Sequence, residues 1–470
     1  MKRIKWFSFA LAAIAFVGCS DNNAETPPPA TEPVVLTTPK VTFTVTETSV
    51  AFSWEAVEHA SGYEYRLQKA SETVKEEKVD AETLQASVDV PKGSEIYILE
   101  VRALGTGDYT DSEWSRNTVL TPVPKPTNIE FADAVLEKYL LSMQPSIDLD
   151  GDGKISFEEA AAVTEIDAGY EYAEDATADN TFSNLSGLEY FTSLERLNLK
   201  YHRVSDATPI EGLASLTSLN LGENQITKLD LSKLANLIDL RLYGTGVSTL
   251  DLSKTPLLKS LYLQRTALTE IDLSPLTDLE EAYINEAKLT KLRAVGLKGL
   301  TRLDAVKNAL TTVEIGNCDE LSQLHLDNNR LTAIELKGLP KLMILNLYAN
   351  SLTALDTSNL PFLMQLSVFE NQIASVDFSA NPALRNVYLT QNPLTKIDLS
   401  ANENIMLLEA INMSNLEEIN LKNGYCDDWA EYYIVEGNPA LKKVIVDPGY
   451  EFELVTTLFK NRPDVSIVTE

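Results

Sequence analysis

The stretch DLDGDGKISFEE, residues 148–159, sets oxygen-bearing side chains at fixed intervals. Asp148, Asp150 and Asp152 take its first, third and fifth positions. Gly153 follows at the sixth, where the chain must turn sharply. Lys154 offers a backbone carbonyl at the seventh and Ser156 stands at the ninth. Glu159, at the twelfth, can give two oxygens. Hard oxygen ligands in this order suit calcium. A merely solvated acidic turn would not require Gly153, Ile155 and Glu159 together.

Two helices must hold that loop. EFADAVLEKYLLSM places Phe131, Val135, Tyr139, Leu140 and Met143 on one helical stripe, and Pro145 stops it. AAAVT after Glu159 reads as a short exit helix. Helix, loop and helix resemble an EF-hand, which implies calcium held by Asp148, Asp150, Asp152, the Lys154 carbonyl and Glu159. No second hand accompanies it, and paired hands are the usual basis of cooperative sensing. Extracellular calcium would keep a modest site filled, with Kd of about 10⁻⁴–10⁻³ M. The expectation is a structural ion bracing an N-terminal cap over residues 126–168. Val163, Ile166 and Ala168 already carry a weak copy of the pattern that follows.

Residues 169–470 repeat. A Leu-x-x-Leu-x-Leu unit begins at Leu194 and Leu216, then every 21 residues to Ile405. LKKVIV, at Leu441, reads as a last copy after an insertion. Asn224, Asn308, Asn329, Asn350, Asn371 and Asn392 stand eight residues after the first Leu, with Thr245 and Thr266 substituting. This is the pattern of a leucine-rich repeat, and it resembles the bacterial internalins. Each unit supplies one strand of a parallel sheet with its leucines inward. Twenty-one residues leave the convex side only short extended or 3₁₀ segments. Cys318 and Cys426 lie five coils apart, roughly 24 Å at ~4.8 Å per strand, so no disulfide joins them.

The second, fourth and sixth positions after the first Leu face the concave side. The fourth gives a ladder: Arg241, Tyr262, Tyr283, Asp304, His325, Asn346, Ser367, Tyr388. Asp304, His325 and Ser367 have the residue types of a hydrolytic triad. Two rungs separate Ser367 from His325, roughly 10 Å, whereas proton transfer needs about 3 Å. A hydrolase is therefore the remotest reading and no catalytic residue is assigned. Binding is the stronger one. Tyr243, Tyr262, Tyr283, His325, Tyr348, Phe369 and Tyr388 form a candidate partner surface, since exposed aromatics among polar residues mark such sites. Tyr and Phe also suit strands in general. The same rings could stack on sugars, which keeps polysaccharide capture for nutrient uptake as the alternative. Trp429, Tyr432 and Tyr433, in the insertion NGYCDDWAEYY, cover the last coils or reach a ligand.

Residues 40–122 alternate with period two. VTFTVTETSVAFSW, GYEYRLQ, LQASVDV, EIYILEVRALG and EWSRNTVL read as strands of a small β-sandwich. Trp54 and YILEVRA, Tyr97–Ala103, resemble the core Trp and tyrosine-bearing strand of a fibronectin type III domain. The fold class is thus mainly β: sandwich, helix–loop–helix cap, solenoid.

Upstream, Lys2, Arg3 and Lys5 precede the apolar WFSFALAAIAFVG, too short to span a membrane comfortably. With Cys19 next, residues 1–18 resemble a lipoprotein signal peptide. That implies acyl lipid, palmitate included, on Cys19; Phe16 replaces the usual Leu. Residues 19–39 add a Pro-rich spacer. SDNN after Cys19 partly resembles the outer-face signal of Bacteroides-like surface lipoproteins, with Asp21 its only acid. The formal charge of −30 repels phosphate backbones, so nucleic acid is not an expected partner. The expectation is an outer-membrane lipoprotein facing the cell exterior, membrane-bound through lipid alone, whose repeats bind a protein or glycan.

Overall fold

The computed structural model describes residues 32–470 except 71, 123–126 and 427. Residues 1–18, Cys19 and most of the spacer fall outside that range. The chain divides into two compact units, parting after Pro126.

The first unit is built mainly of two antiparallel sheets, with a short parallel pair, Val34–Val35 and Tyr109–Thr110, beside them. One runs Val41–Val45, Ser49–Trp54, Gln85–Asp89. The other runs Glu72–Asp80, Gly62–Lys69, Ile96–Leu104, Ser115–Leu120. They share a core of Val50, Phe52, Trp54, Tyr63, Tyr65, Leu67, Val88, Tyr97, Leu99 and Val101. Glu72–Asp80 is a strand that the hydrophobic pattern did not predict. It lies at the sheet edge and buries none of its residues, so ETVKEEKVD carries no apolar alternation to read. Charges on such a strand discourage pairing with other chains.

In the second unit, strands stack in parallel into one 13-stranded sheet, from Glu165–Asp167 to Glu431–Tyr433. Leucines of every coil enter a single core, where each is worth about 1.5–3 kcal/mol of burial. That core also takes in Ile129, Leu136, Leu140, Ile147 and Ile155 of the helix–loop–helix. Strand Glu165–Asp167 pairs with Arg196–Asn198, so the weak copy at Val163–Ala168 is the sheet's first coil. The repeat asparagines tie coils together. Asn329 Nδ2 donates to Ala305 O at 3.0 Å and Leu326 O at 2.9 Å, while its Oδ1 accepts from Leu310 N.

The opposite side carries 3₁₀ turns and two short parallel sheets. One joins Glu270–Asp272, Lys291–Val295 and Thr312–Gly316. The other joins Lys396–Asp398, Glu418–Asn420, Lys443–Ile445 and Ser466–Val468. LKKVIV is thus corrected: it belongs to this second sheet. Glu431–Tyr433 instead continues the long sheet, paired with Leu407–Glu409. Among the described residues the second unit also holds α1 (Ala134–Leu141) and α2 (Phe157–Ala162) on either side of the acidic loop, and α3 (Tyr450–Leu458) near its other end.

Candidate functional site: the open face of the long sheet

Strand alternation turns one set of side chains into the leucine core and the other outward. The register sets the outward ones in line. Arg241, Tyr262, Tyr283, Asp304, His325, Asn346, Ser367, Tyr388 and Glu409 are successive partners on neighbouring strands. Asn346 stands between His325 and Ser367, so no triad forms there.

Tyr262 and Tyr283 stack with centroids 5.0 Å apart and planes 12° from parallel. The Arg241 guanidinium lies 4.7 Å from the Tyr262 ring and that of Arg302 lies 5.3 Å from Tyr283. In rung order the arrangement is Arg, Tyr, Tyr, Arg, a cation–π stack covered at both ends. Its charges are matched internally. Arg241 donates twice to the Asp239 carboxylate at 2.8 Å, and Arg302 to Asp304 Oδ2 at 2.9 Å. Both tyrosines donate to Glu281, Tyr262 at 2.6 Å and Tyr283 at 3.2 Å. Burial, then the Glu281 carboxylate, pushes the Tyr262 hydroxyl up to about 12. Arg241, Arg302 and the rings themselves thus cover the faces of Tyr262 and Tyr283 on which a sugar would stack. Tyr243, half-buried, lies over Gly222, where any Cβ would meet its ring.

Tyr348 and Phe369 form a second stack, 4.3 Å apart and 8° from parallel. These two rings are set at the sixth position, beside Asn346 and Ser367. Tyr388 is half-buried one strand further on.

His325 stands between the stacks. Asn346 Nδ2 lies 2.8 Å from its Nδ1, so in the neutral ring Nδ1 accepts and Nε2 carries the proton. Nε2 is 3.7 Å from Asp304 Oδ1, beyond hydrogen-bond reach. Among the described residues Asp304 Oδ1, His325 Nε2 and Asn346 Oδ1 have no hydrogen-bond partner. Burial holds the His325 imidazole below its ordinary value, against the pull of Asp304.

In the acidic loop, Asp148, Asp150 and Asp152 bring carboxylate oxygens within 4.8 Å of one another. Backbone donors shape it: Gly151 and Gly153 to Asp148 at 2.8 and 3.0 Å, Lys154 to Asp152 at 2.8 Å. Gly153 has φ 78°, which a side chain would strain. Glu159 is not grouped with the three aspartates. It caps α2, accepting from Ser156 N and Oγ, and from Leu149 N at 2.7 Å. The Ser156 and Leu149 donors hold its carboxyl below the usual value despite some burial. Segment 127–129 runs against the loop: Ile129 N donates to Ile155 O at 2.8 Å and Phe157 N to Thr127 O at 3.2 Å.

At the far end the insertion splits. Tyr432 is buried and donates to Glu451 of α3 at 2.8 Å, whereas Trp429 and Tyr433 are exposed. Glu451, a wholly buried acid, is a structural residue that helix periodicity did not single out. Neither Cys318 nor Cys426 is in a disulfide.

The functional domain of InlJ from Listeria monocytogenes, described as including a cysteine ladder, is 24% identical. That match covers 72% of this chain and 69% of InlJ, with a TM-score of 0.53. The second unit has a leucine-rich repeat fold. An internalin, inlF, from the same organism is 20% identical, covering 72% of this chain and 96% of its own, with a TM-score of 0.43. The FN1–FN3 domains of chicken CNTN1 are 18% identical, over 18% of this chain and 31% of theirs, with a TM-score of only 0.16. No protein-family model matches the chain, and no curated protein does. Among the described residues no helix is long and apolar enough to cross a membrane.

Proposed function

We propose that this chain is a cell-surface recognition protein that binds a protein partner through the open, concave face of its long sheet. The observation that carries this is the register that lines Arg241, Tyr262, Tyr283, Asp304, His325, Asn346, Ser367 and Tyr388 along the outward side of one parallel sheet, with the Tyr348–Phe369 pair beside them. Tyr243, His325, Tyr348, Phe369 and Tyr388 are its proposed contacts, while Tyr262 and Tyr283 lie on it as a brace whose ring faces Arg241, Arg302 and each other cover. The covered faces of Tyr262 and Tyr283 weigh against glycan stacking there. The test immobilises the chain from residue 20 onward and challenges it with host-cell and envelope extracts and with a glycan array. A protein captured by wild type and lost on Tyr348→Ala/Phe369→Ala supports the reading. Capture indifferent to every open-face substitution overturns it.

Calcium is proposed at Asp148, Asp150, Asp152, the Lys154 carbonyl and Glu159. The clustered aspartates support it, and so does segment 127–129, which occupies the side of the loop where a second hand would pair. Because this loop shares the solenoid core, the ion braces the first coils. Calcium at tenfold over Kd would add about 1.4 kcal/mol of stability. Wild type then melts higher in calcium than in chelator, and Asp148→Ala shows no such shift. An Asp148→Ala protein melting like wild type in calcium overturns the bracing role.

The first unit is read as a fibronectin type III-like spacer, supported by its three- and four-stranded sheets around Trp54. Cys19 is proposed as the lipid-bearing residue of an outer-membrane lipoprotein facing outward. Labelled palmitate incorporated by wild type and absent from Cys19→Ser would support that anchor. Equal labelling of both would overturn it.

A further inference from the structure

We infer that the partner is held chiefly by the coils from Leu342 to Ile411, and that it is a different protein presenting an apolar patch bordered by basic side chains. This rests on the recognition function proposed above and locates it.

Charge is distributed unevenly along the open face. In the four strands around residues 239–306 the outward positions include Asp239, Arg241, Glu281, Arg302 and Asp304. In the four around 344–411 they are Ile344, Asn346, Tyr348; Gln365, Ser367, Phe369; Asn386, Tyr388, Thr390; and Leu407, Glu409, Ile411. Glu409 alone is charged, in a chain where 23% of residues are. Interface centres are depleted of charge and rich in aromatics and Met.

Methionine follows the same rule. The chain has six, and Met343, Met364 and Met406 line one edge of these strands. Met343 and the nearby Phe362 are exposed. Flexible thioethers suit an edge that must mould to a partner. The four strands span about 19 Å at ~4.8 Å each, the breadth of an interface centre.

The border sets the partner's charge. Glu370, Glu431 and Glu436 are exposed around the strands; on the methionine side the exposed bases are Arg385 and Lys341, the latter already paired with Glu320 at 2.6 Å. A second copy of this chain would bring a like formal charge of −30 and is disfavoured. A basic surface is drawn in and oriented.

The test uses three synthetic helical peptides with one shared Leu/Phe face, flanked by Lys, Glu or Gln, and fluorescence anisotropy on the chain from residue 20. The Lys peptide should bind about tenfold tighter than the Glu peptide at low salt, the gap closing at high salt. Phe369→Ala, and separately Met364→Glu, which leaves the ring stack intact, should weaken the Lys peptide by about tenfold or more. Tyr283→Ala should leave it within about twofold. Circular dichroism checks that each variant is folded. Equal affinities, the reverse order, no binding by any peptide, or greater loss at Tyr283 than at Phe369 would overturn the inference. The two readings fail separately: a native partner released by Tyr283→Ala but not Phe369→Ala refutes the location and keeps open-face recognition, whereas capture indifferent to every open-face substitution refutes both.

Discussion

Tyr262–Tyr283 and Tyr348–Phe369 are both near-parallel ring pairs on one face of one sheet, yet their surroundings differ in kind. The first has a guanidinium beyond each ring and a glutamate binding both hydroxyls. Its contacts are spent within the chain. The second has Asn346, Ser367 and Ile344 beside it and, among the described residues, no guanidinium over either ring; its one tie to a charge is the Tyr348 hydroxyl on the Asp327 carboxylate. An aromatic on a repeat surface is thus a strut or a contact according to its neighbours one coil away. Composition alone does not distinguish the two.

The largest expected effect would break this comparison if absent. Replacing Tyr348 and Phe369 together by Ala should cost about 2 kcal/mol or more of partner binding, measured by titration calorimetry with whatever native protein is captured. Thermal stability should fall as well, by about 1 kcal/mol for the ring pair together with the partial burial of both rings, with the variant still folded by circular dichroism.

Next is Arg302→Ala, which removes the end of the first stack and strips the cation from Asp304, a side chain only 8% exposed. Urea unfolding should show a loss of about 2 kcal/mol, with partner affinity nearly unchanged. Tyr283→Ala should act in the same direction with a smaller loss of about 1 kcal/mol. Affinity lost in place of stability would make the first stack a contact surface after all.

The smallest effect is that of pH at the rung between the stacks. Burial keeps His325 neutral at pH values where the unfolded chain already takes up a proton, and it does the same for His202. Stability is therefore full above about 6.5, the ordinary imidazole value. It declines as pH falls from there toward the depressed folded values. His325→Gln should flatten part of that slope in thermal melts from pH 7 to 5, leaving the His202 share. An unchanged slope would show that the imidazole charges freely in the folded protein.

Much of the scaffold was legible from spacing. A 21-residue period with Leu at three positions specifies parallel strands one coil apart, and the observed ladder from Arg241 to Tyr388 follows it rung by rung. Other features were hidden for identifiable reasons. Strand Glu72–Asp80 has no buried face, so its alternation has no apolar partner to reveal it. LKKVIV matches the repeat consensus by type, but the preceding insertion had already contributed Glu431–Tyr433 to the long sheet, which moves the match to the opposite side. Trp429, Tyr432 and Tyr433 look equivalent in sequence, and only Tyr432 turns inward, to Glu451.

The sequence by itself determined which residues are buried and which share a ladder, because burial repeats with the strand period and register repeats with the coil. Tertiary structure alone decided which outward side chains spend their hydrogen bonds and ring faces on one another. Those contacts join residues 2 apart on one strand or 19 and 21 apart on neighbouring ones, and depend on distances of a few ångströms, which no periodic pattern encodes. That is why Tyr283 and Phe369, alike as aromatics on a strand, part company only once Arg302 is seen 5.3 Å from the Tyr283 ring.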